Sequence, residues 1–208
     1  MDPSFAPGFF HRVDPSSDSL FYDLPRFVTH IDDGALAAVG TLYEELAVEG
    51  RVLDLMSSWV SHFRTPPHEL VGLGMNQHEL KANPALRHFV RQDLNADPKL
   101  PFADASFDHV VCCVSVDYLV HPLAVFSEVA RVLREGGLFV CTFSNRCFPT
   151  KAIRGWRATN DAGRVQIVRR YFELTNGFSE PVDELRTQRR RFGDPLYGVW
   201  AARTTVRI

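Results

Sequence analysis

The chain has 208 residues, of which 45% are hydrophobic and 23% are charged, and its formal net charge is -2. This length suffices for one substantial core but is short for two ordinary domains, so we expect a single domain over residues 1–208. The slightly negative charge excludes a broad electrostatic attraction to nucleic acid or to an anionic membrane, and it favours a small molecule as the partner.

The sequence shows no sign of a targeting or membrane segment. The opening stretch MDPSFAPGFFHRVDPSSDS lacks the basic region and the continuous apolar region of a signal peptide, and no run of about 18 apolar residues follows it. We therefore expect a cytoplasmic protein. Cys112, Cys113, Cys141 and Cys147 lie among apolar neighbours without a C-x-x-C spacing, which favours reduced core thiols over a metal site or disulfides.

Short β-branched runs alternate with helix-period segments, a pattern typical of a parallel sheet with helices on both faces. Residues 32–50 predict the first helix, with an N-cap at Asp32 or Asp33 and an end at Gly50. Its apolar face carries Leu36, Val39, Tyr43 and Leu46. Four strands are then predicted over residues 51–56, 69–75, 88–94 and 107–116. The last of them is apolar on both faces, as a central parallel strand should be.

The connections between these strands continue the pattern. Asn76 and Glu79 have the spacing of a capping box before a short helix that Pro84 limits. A helix over residues 122–137 ends at two glycines, and a fifth strand follows over residues 138–145. A last helix near residues 161–175 precedes two strand-like runs, 182–192 and 196–205, which we expect to form an antiparallel hairpin at one edge.

Several segments, taken in order, resemble the class I S-adenosylmethionine-dependent methyltransferases, in particular their type 11 kind, over residues 35–205. The segments are VLDL at 52–55, LPFADASFDHVVCC at 100–113, EVARVLREGGLFVCTFSN at 128–145, GFSEPV at 177–182 and GDPLYGVWAAR at 193–203. The resemblance implies a Rossmann-like, doubly wound α/β sheet of seven strands in the order 3-2-1-4-5-7-6, with the last strand antiparallel. It also implies a core over residues 34–208, with residues 1–33 as an amino-terminal lid or extension.

The same resemblance implies the cofactor S-adenosyl-L-methionine, with S-adenosyl-L-homocysteine as its product. The cofactor is expected across the carboxyl ends of strands one to four, where open α/β sheets bind their ligands. The loop after Asp54 departs from the family's glycine-rich pattern, because Met56, Ser58 and Val60 occupy the glycine-like positions. A side chain held in left-handed geometry costs about 1–2 kcal/mol, and its atoms would also crowd a methionyl group.

Two interpretations of this loop are open. Hydroxyls of Ser57, Ser58 and Ser61 could bind the ligand carboxylate in place of the lost glycines. Alternatively the loop only packs, with Trp59 and His62 as covering side chains.

A second departure concerns the ribose. Gly74 stands 20 residues after Asp54, where the family has an acidic residue that accepts hydrogen bonds from the ribose hydroxyls. Losing such an acceptor costs about 1.5–3 kcal/mol per bond, which is roughly ten- to hundredfold in affinity. Asn76 or Glu79 could reach the ribose instead, although the capping box explains their spacing equally well. Gly74 itself could simply make room.

The adenine end is closer to the family pattern. Asp93 matches the family's acidic residue for the adenine amino group, with Gln92 before it and an apolar flank at Leu94; the alternative is a solvated aspartate in a loop. Cys113 and Val114 match the segment under the adenosyl group. The predicted cofactor-binding residues are Asp54, Met56, Ser57, Ser58, Met75, Asn76, Gln92, Asp93, Leu94, Cys113 and Val114.

Methyl transfer requires positioning, exclusion of water and in some cases removal of one proton. Candidate catalytic residues are Asp117, Tyr118 and His121, and further candidate bases are His62 and His30. Predicted acceptor-binding residues are Tyr22 in the amino-terminal segment and Asn145, Arg146 and Trp156 after strand five. For each of these, a structural or simply exposed role is the alternative.

The sequence therefore predicts an S-adenosylmethionine-dependent methyltransferase that acts on a small molecule through an atypical cofactor loop. The alternative is a catalytically inactive relative of this fold that works as a binding or regulatory protein. A nicotinamide oxidoreductase is disfavoured because both the G-x-G-x-x-G motif and the ribose acid are missing. The basic run RTQRRRF lies on a predicted edge strand and gives little support for nucleic-acid binding.

Overall fold

The computed structural model describes residues 4–187 and 193–205, and its centre is a sheet of seven strands. The strands are β1 Arg51–Leu55, β2 Glu69–Gly74, β3 His88–Arg91, β4 His109–Cys113, β5 Leu138–Phe143, β6 Val182–Leu185 and β7 Tyr197–Ala202. They lie in the order β3-β2-β1-β4-β5-β7-β6. The first five are parallel to one another, whereas β7 is antiparallel to both β5 and β6. The predicted fold class is confirmed, including the hairpin at the sheet edge.

Six helices and one 3-10 turn surround the described part of the sheet. They are α1 Asp18–Phe21, α2 Asp33–Glu45, α3 Gln77–Ala82, α4 Pro122–Val132, α5 Arg154–Arg157, α6 Asp161–Glu173 and the turn Val116–Tyr118. None of these helices has the length and apolar character needed to cross a membrane. The predicted end of the first helix at Gly50 was wrong. The helix stops at Glu45 because Ala47 adopts a left-handed φ of 49° and the Val48 amide donates to the Tyr43 carbonyl, a Schellman-type end without a glycine.

Several predicted elements are shorter than their sequence patterns. The helix predicted over 122–137 ends at Val132, and β3 and β4 end at Arg91 and Cys113. Residues 92–94 and 114–116, which the pattern assigned to these two strands, lie beyond the strand ends, and Leu94 and Val116 are buried there. Of the predicted run 182–192, residues 182–185 form β6, and residues 188–192 lie outside the described part of the chain.

Both faces of the sheet are covered by apolar layers. On one face, Phe126 of α4 and Phe172 of α6 pack on Phe139 of β5, with ring centroids 4.8 and 5.4 Å away. On the other face, α2 places Val39 and Leu42 against the buried residues of the central strands. All four cysteines are free; Cys112 and Cys141 are buried and the other two are half-buried. These layers leave the carboxyl edge of β1 to β4 open between the loops that follow the strands.

The amino-terminal segment is fixed to the core by a buried ionic cluster. Asp18 accepts two hydrogen bonds from Arg12, at 2.6 and 2.7 Å, and one from the side-chain amide of Asn95, at 2.8 Å. The Lys151 ammonium, which is 0% exposed, lies 3.2 Å from Asp18 and 2.9 Å from Asp14. This cluster sets where the following residues, 22–30, pass over the sheet edge.

Candidate active site

A crevice lies at the carboxyl ends of β1 to β4, and all of the predicted cofactor-binding residues line it. The amino-terminal segment contributes Tyr22, Arg26, Val28, Thr29 and His30 to its wall. Tyr118 and Phe148 close it from the side of β4 and β5. The crevice is therefore formed by residues from six separate stretches of the chain, four of which meet there because the parallel strands β1 to β4 end at one edge.

The loop from residue 56 to residue 68 connects β1 to β2 without any helix. Of its three glycine-like positions only Met56 is left-handed, with a φ of 58°; His62 is also left-handed, with a φ of 45°. The loop turns back over the end of β2, because the Ser57 amide donates to the Leu73 carbonyl at 2.8 Å. Trp59 continues this path, and its indole N–H donates to the Val28 carbonyl at 3.1 Å.

The serines of this loop bind protein carboxylates. Ser57 and Ser61 both donate to Oδ2 of Asp54, each at 2.6 Å, and Ser58 donates to Oε2 of Glu79 at 2.7 Å. Burial raises the pKa of Asp54 to about 6, while the two hydroxyls act to lower it. The suggestion that the three hydroxyls replace glycines as donors to a ligand carboxylate is therefore wrong for this conformation, since each hydroxyl proton is already directed at Asp54 or Glu79.

Gly74 makes room for this loop rather than for a ligand. A Cβ atom at position 74 would lie 2.1 Å from the Ser57 carbonyl oxygen. Real Cβ atoms essentially never come closer than 3.0 Å to such an atom. The backbone of the β1 loop thus occupies the space next to the strand end where the family carries its ribose acid. An acidic side chain and this loop path exclude each other.

We predict that Gly74→Ala lowers the free energy of unfolding by about 1–3 kcal/mol, because the loop backbone must shift to admit the methyl group. Urea unfolding followed by circular dichroism measures the change. Gly34→Ala is the matched control, because Gly34 lies in α2 and a Cβ there meets only an aspartate oxygen at 3.3 Å. The control should be neutral or stabilising. Equal stability of Gly74→Ala and the wild type would contradict the crowding.

Helix α3 ties the amino-terminal segment to the crevice. The Asn76 side-chain oxygen caps α3, and its amide nitrogen donates to the carbonyls of Tyr22 and Asp23 at 2.9 and 3.1 Å. The Glu79 carboxylate accepts from the Arg26 amide at 2.6 Å in addition to Ser58. The predicted capping box is therefore only half formed: Asn76 caps the helix, whereas Glu79 turns toward the crevice.

The predicted adenine end lies beyond β3. Asp93 Oδ1 accepts from the Asn95 amide at 2.9 Å, which fixes the carboxylate at the crevice wall, and Leu94 is buried beside it. Gln92 donates to the carbonyls of Asp97 and Lys99, so it also fixes the loop that follows β3. Val114 adopts a left-handed φ of 46°, which is strained for a β-branched residue.

The predicted catalytic and acceptor-binding residues divide into two groups. Tyr22, His30, His62 and Tyr118 line the crevice. Burial, together with the neighbouring His30, lowers the pKa of His62 to about 4, so its imidazole is neutral at physiological pH. The other candidates, described next, lie elsewhere.

Five predicted residues lie away from the crevice, which corrects their assignment. Trp156 is 1% exposed and packs on Phe143, with ring centroids 5.0 Å apart. Asp117 is 3% exposed within the turn Val116–Tyr118 and does not line the crevice. Asn145, Arg146 and His121 are exposed, and Arg146 forms an ion pair with Asp194 at 2.8 Å. The segment after β5 therefore supplies Phe148 to the crevice but not the residues selected from its sequence.

Sequence reasoning missed several residues of the crevice wall. They are Asp18, Arg26, Val28, Thr29, Asn95, Ser115 and Phe148. Those from the amino-terminal segment follow no motif. Long-range bonds hold them at the site, among them those of Arg26 to Glu79, of Trp59 to Val28 and of Asn95 to Asp18. Asn95 was detectable in principle, because it directly follows the predicted adenine-binding pair Asp93 and Leu94.

The strand order, together with a crevice at the carboxyl ends of the first four strands, defines the class I S-adenosylmethionine-dependent methyltransferase fold. Residues 53–141 match the family model described as a methyltransferase domain. The structure of an S-adenosylmethionine-dependent methyltransferase from Archaeoglobus fulgidus has a TM-score of 0.59 at 14% identity, covering 81% of this chain and 94% of that one. The predicted resemblance to class I methyltransferases is confirmed.

Curated relatives are methyltransferases as well. An uncharacterized methyltransferase of Mycolicibacterium vanbaalenii is 30% identical over 131 residues, which make up 57% of this chain and 50% of that protein. A demethylmenaquinone methyltransferase of Mycobacterium sp. (strain KMS) is 48% identical over 56 residues, 25% of this chain and 24% of that protein. The chain thus spans half or less of the length of these two relatives.

Proposed function

We propose that this chain is an S-adenosylmethionine-dependent methyltransferase that acts on a small-molecule acceptor, with a cofactor loop of atypical structure. The observation that carries the proposal is the crevice, because every cofactor-binding residue selected from the sequence faces it in a methyltransferase fold. The relative named demethylmenaquinone methyltransferase supports a small-molecule acceptor. We further propose that residues 34–208 form the catalytic core and residues 1–33 its lid.

The residues of the crevice fit an adenosyl group in part. Asp93 would accept a hydrogen bond from the adenine amino group, with Leu94 and Val114 as apolar neighbours. Glu79 is the carboxylate that would replace the family's ribose acid: it accepts two hydrogen bonds, and an ionised carboxylate has lone pairs for about four. Asp54 would face the cationic end of the cofactor. The poorest fit is at the ligand carboxylate, because the loop hydroxyls donate elsewhere.

When bound, S-adenosylmethionine supplies a methyl group activated by its positively charged sulfur. The contribution of the chain is then to position the acceptor and to exclude water. Tyr22 and His30 from the lid, and Tyr118 and Phe148 from the other wall, are the side chains that would surround the acceptor. The His30 and Phe148 rings are 5.2 Å apart, and the rings of Tyr118 and Phe148 are 5.9 Å apart. An apolar, ring-bearing acceptor suits such walls.

The second candidate function is a binding or regulatory protein without catalysis. The observation that favours it is the set of bonds among the loop serines, Asp54 and Glu79, which satisfies the loop without any ligand. Calorimetric titration with S-adenosylmethionine and S-adenosylhomocysteine separates the two functions. The methyltransferase binds both compounds, whereas a protein that has lost the cofactor site binds neither.

Asp93→Ala is expected to weaken the binding of either compound about ten- to hundredfold, because a charged acceptor for the adenine amino group is lost. The matched control is Asp97→Ala, which removes an exposed carboxylate from the same loop, where Asp97 Oδ1 accepts from the Lys99 amide. Calorimetry on the two variants gives the dissociation constants directly. Unchanged affinity in Asp93→Ala would refute the adenine assignment.

A further inference from the structure

The charges along the crevice are mostly negative. Asp18, Asp54, Glu79 and Asp93 line it, and Arg26 is the only arginine or lysine among its described lining residues. The Arg26 guanidinium is turned to the lid: it donates to the Phe21 carbonyl at 2.8 Å and lies 4.4 Å from the centre of the Phe21 ring. Asp18 is neutralised by Arg12 and Lys151. Asp54, Glu79 and Asp93 form no ion pair within the described residues, so they determine the electrostatic character of the crevice.

The directions of the hydrogen bonds at the β1 loop also make the crevice unfavourable for a negatively charged ligand group. Each carboxylate at the β1 loop accepts serine hydroxyls, so the protons of Ser57, Ser58 and Ser61 point away from a ligand. A ligand carboxylate placed over this loop would meet Asp54 and Glu79 rather than hydroxyl donors. Like charges in a partly buried site repel, whereas a cationic group there is attracted.

We propose that the crevice selects ligands by positive charge and does not bind a ligand carboxylate, so that it holds the sulfonium S-adenosylmethionine more tightly than the neutral thioether S-adenosylhomocysteine. This inference rests on the proposed function. Methyl transfer forms a bond from the acceptor's electron pair to the methyl carbon, and the pair of the broken S–C bond stays on sulfur. The ligand therefore loses one positive charge on becoming product, and its attraction to Asp54 and Glu79 falls.

Calorimetry with four probes tests the selection. S-adenosylmethionine should bind about tenfold more tightly than S-adenosylhomocysteine, which corresponds to one charge interacting over several ångströms in a partly solvated site. Decarboxylated S-adenosylmethionine should bind at least as tightly as S-adenosylmethionine. Methylthioadenosine, which lacks the whole amino-acid group, should bind within about threefold of S-adenosylhomocysteine. The preference for the sulfonium should shrink at high salt.

Two variants test which carboxylates are responsible for the preference for S-adenosylmethionine over S-adenosylhomocysteine. Asp54→Asn and Glu79→Gln should each reduce the tenfold preference to about threefold. Because Asp54 also fixes two serines, Glu79→Gln supplies the second test should Asp54→Asn fail to fold. Asp33→Asn is the control: it removes one exposed carboxylate at the start of α2 and should leave the preference unchanged.

The outcomes separate the two proposals. Tighter binding of S-adenosylhomocysteine than of S-adenosylmethionine, weak binding of the decarboxylated probe, or an unchanged preference in Glu79→Gln would overturn charge selection while leaving the methyltransferase function intact. Failure of all four probes to bind would reject the proposed function and charge selection together.

Discussion

Replacing Asp18 by asparagine is expected to lower the free energy of unfolding by about 3–5 kcal/mol, the usual effect of removing one partner from a buried ion pair. Asp18 is 4% exposed and accepts from Arg12, Lys151 and Asn95. Without that charge, Asp14 is the one carboxylate left within ion-pair distance of the fully buried Lys151 in the described chain, and Arg12 loses its ion pair. The neutral amide cannot compensate two buried cations.

Chemical unfolding of Asp18→Asn, followed by circular dichroism, measures this loss. The control is Glu44→Gln, which removes an ion pair with Arg64 in which both side chains are 48% exposed, and which should cost less than about 1 kcal/mol. Limited proteolysis should also cut the variant earlier within residues 12–30, because the cluster holds that segment on the core. Equal losses in the two variants would show that the cluster contributes no more than a surface ion pair.

The positions of the strands were predictable because each depends on a local pattern, whereas their order in the sheet was implied only by the family resemblance. Each buried strand is a short apolar run, and the segments around 52–55 and 100–145 carry the family resemblance. The residues selected at strand ends line one crevice because the carboxyl ends of parallel strands share an edge of the sheet. The helix end at Glu45 was missed because Ala47, which is not a glycine, already adopts the left-handed conformation three residues before Gly50.

The details of the site were not predictable because they depend on contacts between distant parts of the chain. The Ser58 hydroxyl pairs with Glu79, 21 residues later, and the Arg26 amide reaches Glu79 across 53 residues. No periodicity encodes such contacts. Trp156 was assigned to the acceptor because it follows β5, where the resembled family commonly has acceptor-binding residues, yet its ring is buried against Phe143. Only the path of the chain after β5 decides which residues face the crevice.

Asp117 makes the folded protein sensitive to pH. It is 3% exposed, and its Oδ2 atom has no hydrogen-bond partner among the described residues. Burial raises the pKa of this carboxyl from 3.8 to about 8, since the charged form is poorly solvated there. In the unfolded chain the group ionises near its ordinary value. Between these two pH values the folded state therefore holds a proton that the unfolded state has released.

The free energy of unfolding should consequently decline as the pH rises from about 4 to about 8. The contribution of the neutral carboxyl is fully present below pH 4 and is lost by pH 8, and at about 1.4 kcal/mol per pH unit the total is on the order of 5 kcal/mol. Asp117→Asn stays neutral throughout, so its stability relative to the wild type should increase over this range. Other titrating groups, such as Asp54, cancel in the difference.

Urea unfolding of the wild type and of Asp117→Asn at pH 5, 6, 7 and 8 measures that difference. Asp104→Asn provides the control, because its side chain is 78% exposed and a charge there is solvated in both states. The curves of the wild type and Asp117→Asn should diverge with rising pH, whereas those of the wild type and Asp104→Asn should stay parallel. Parallel curves for Asp117→Asn would mean that the carboxyl ionises inside the fold without cost, and they would contradict its raised pKa.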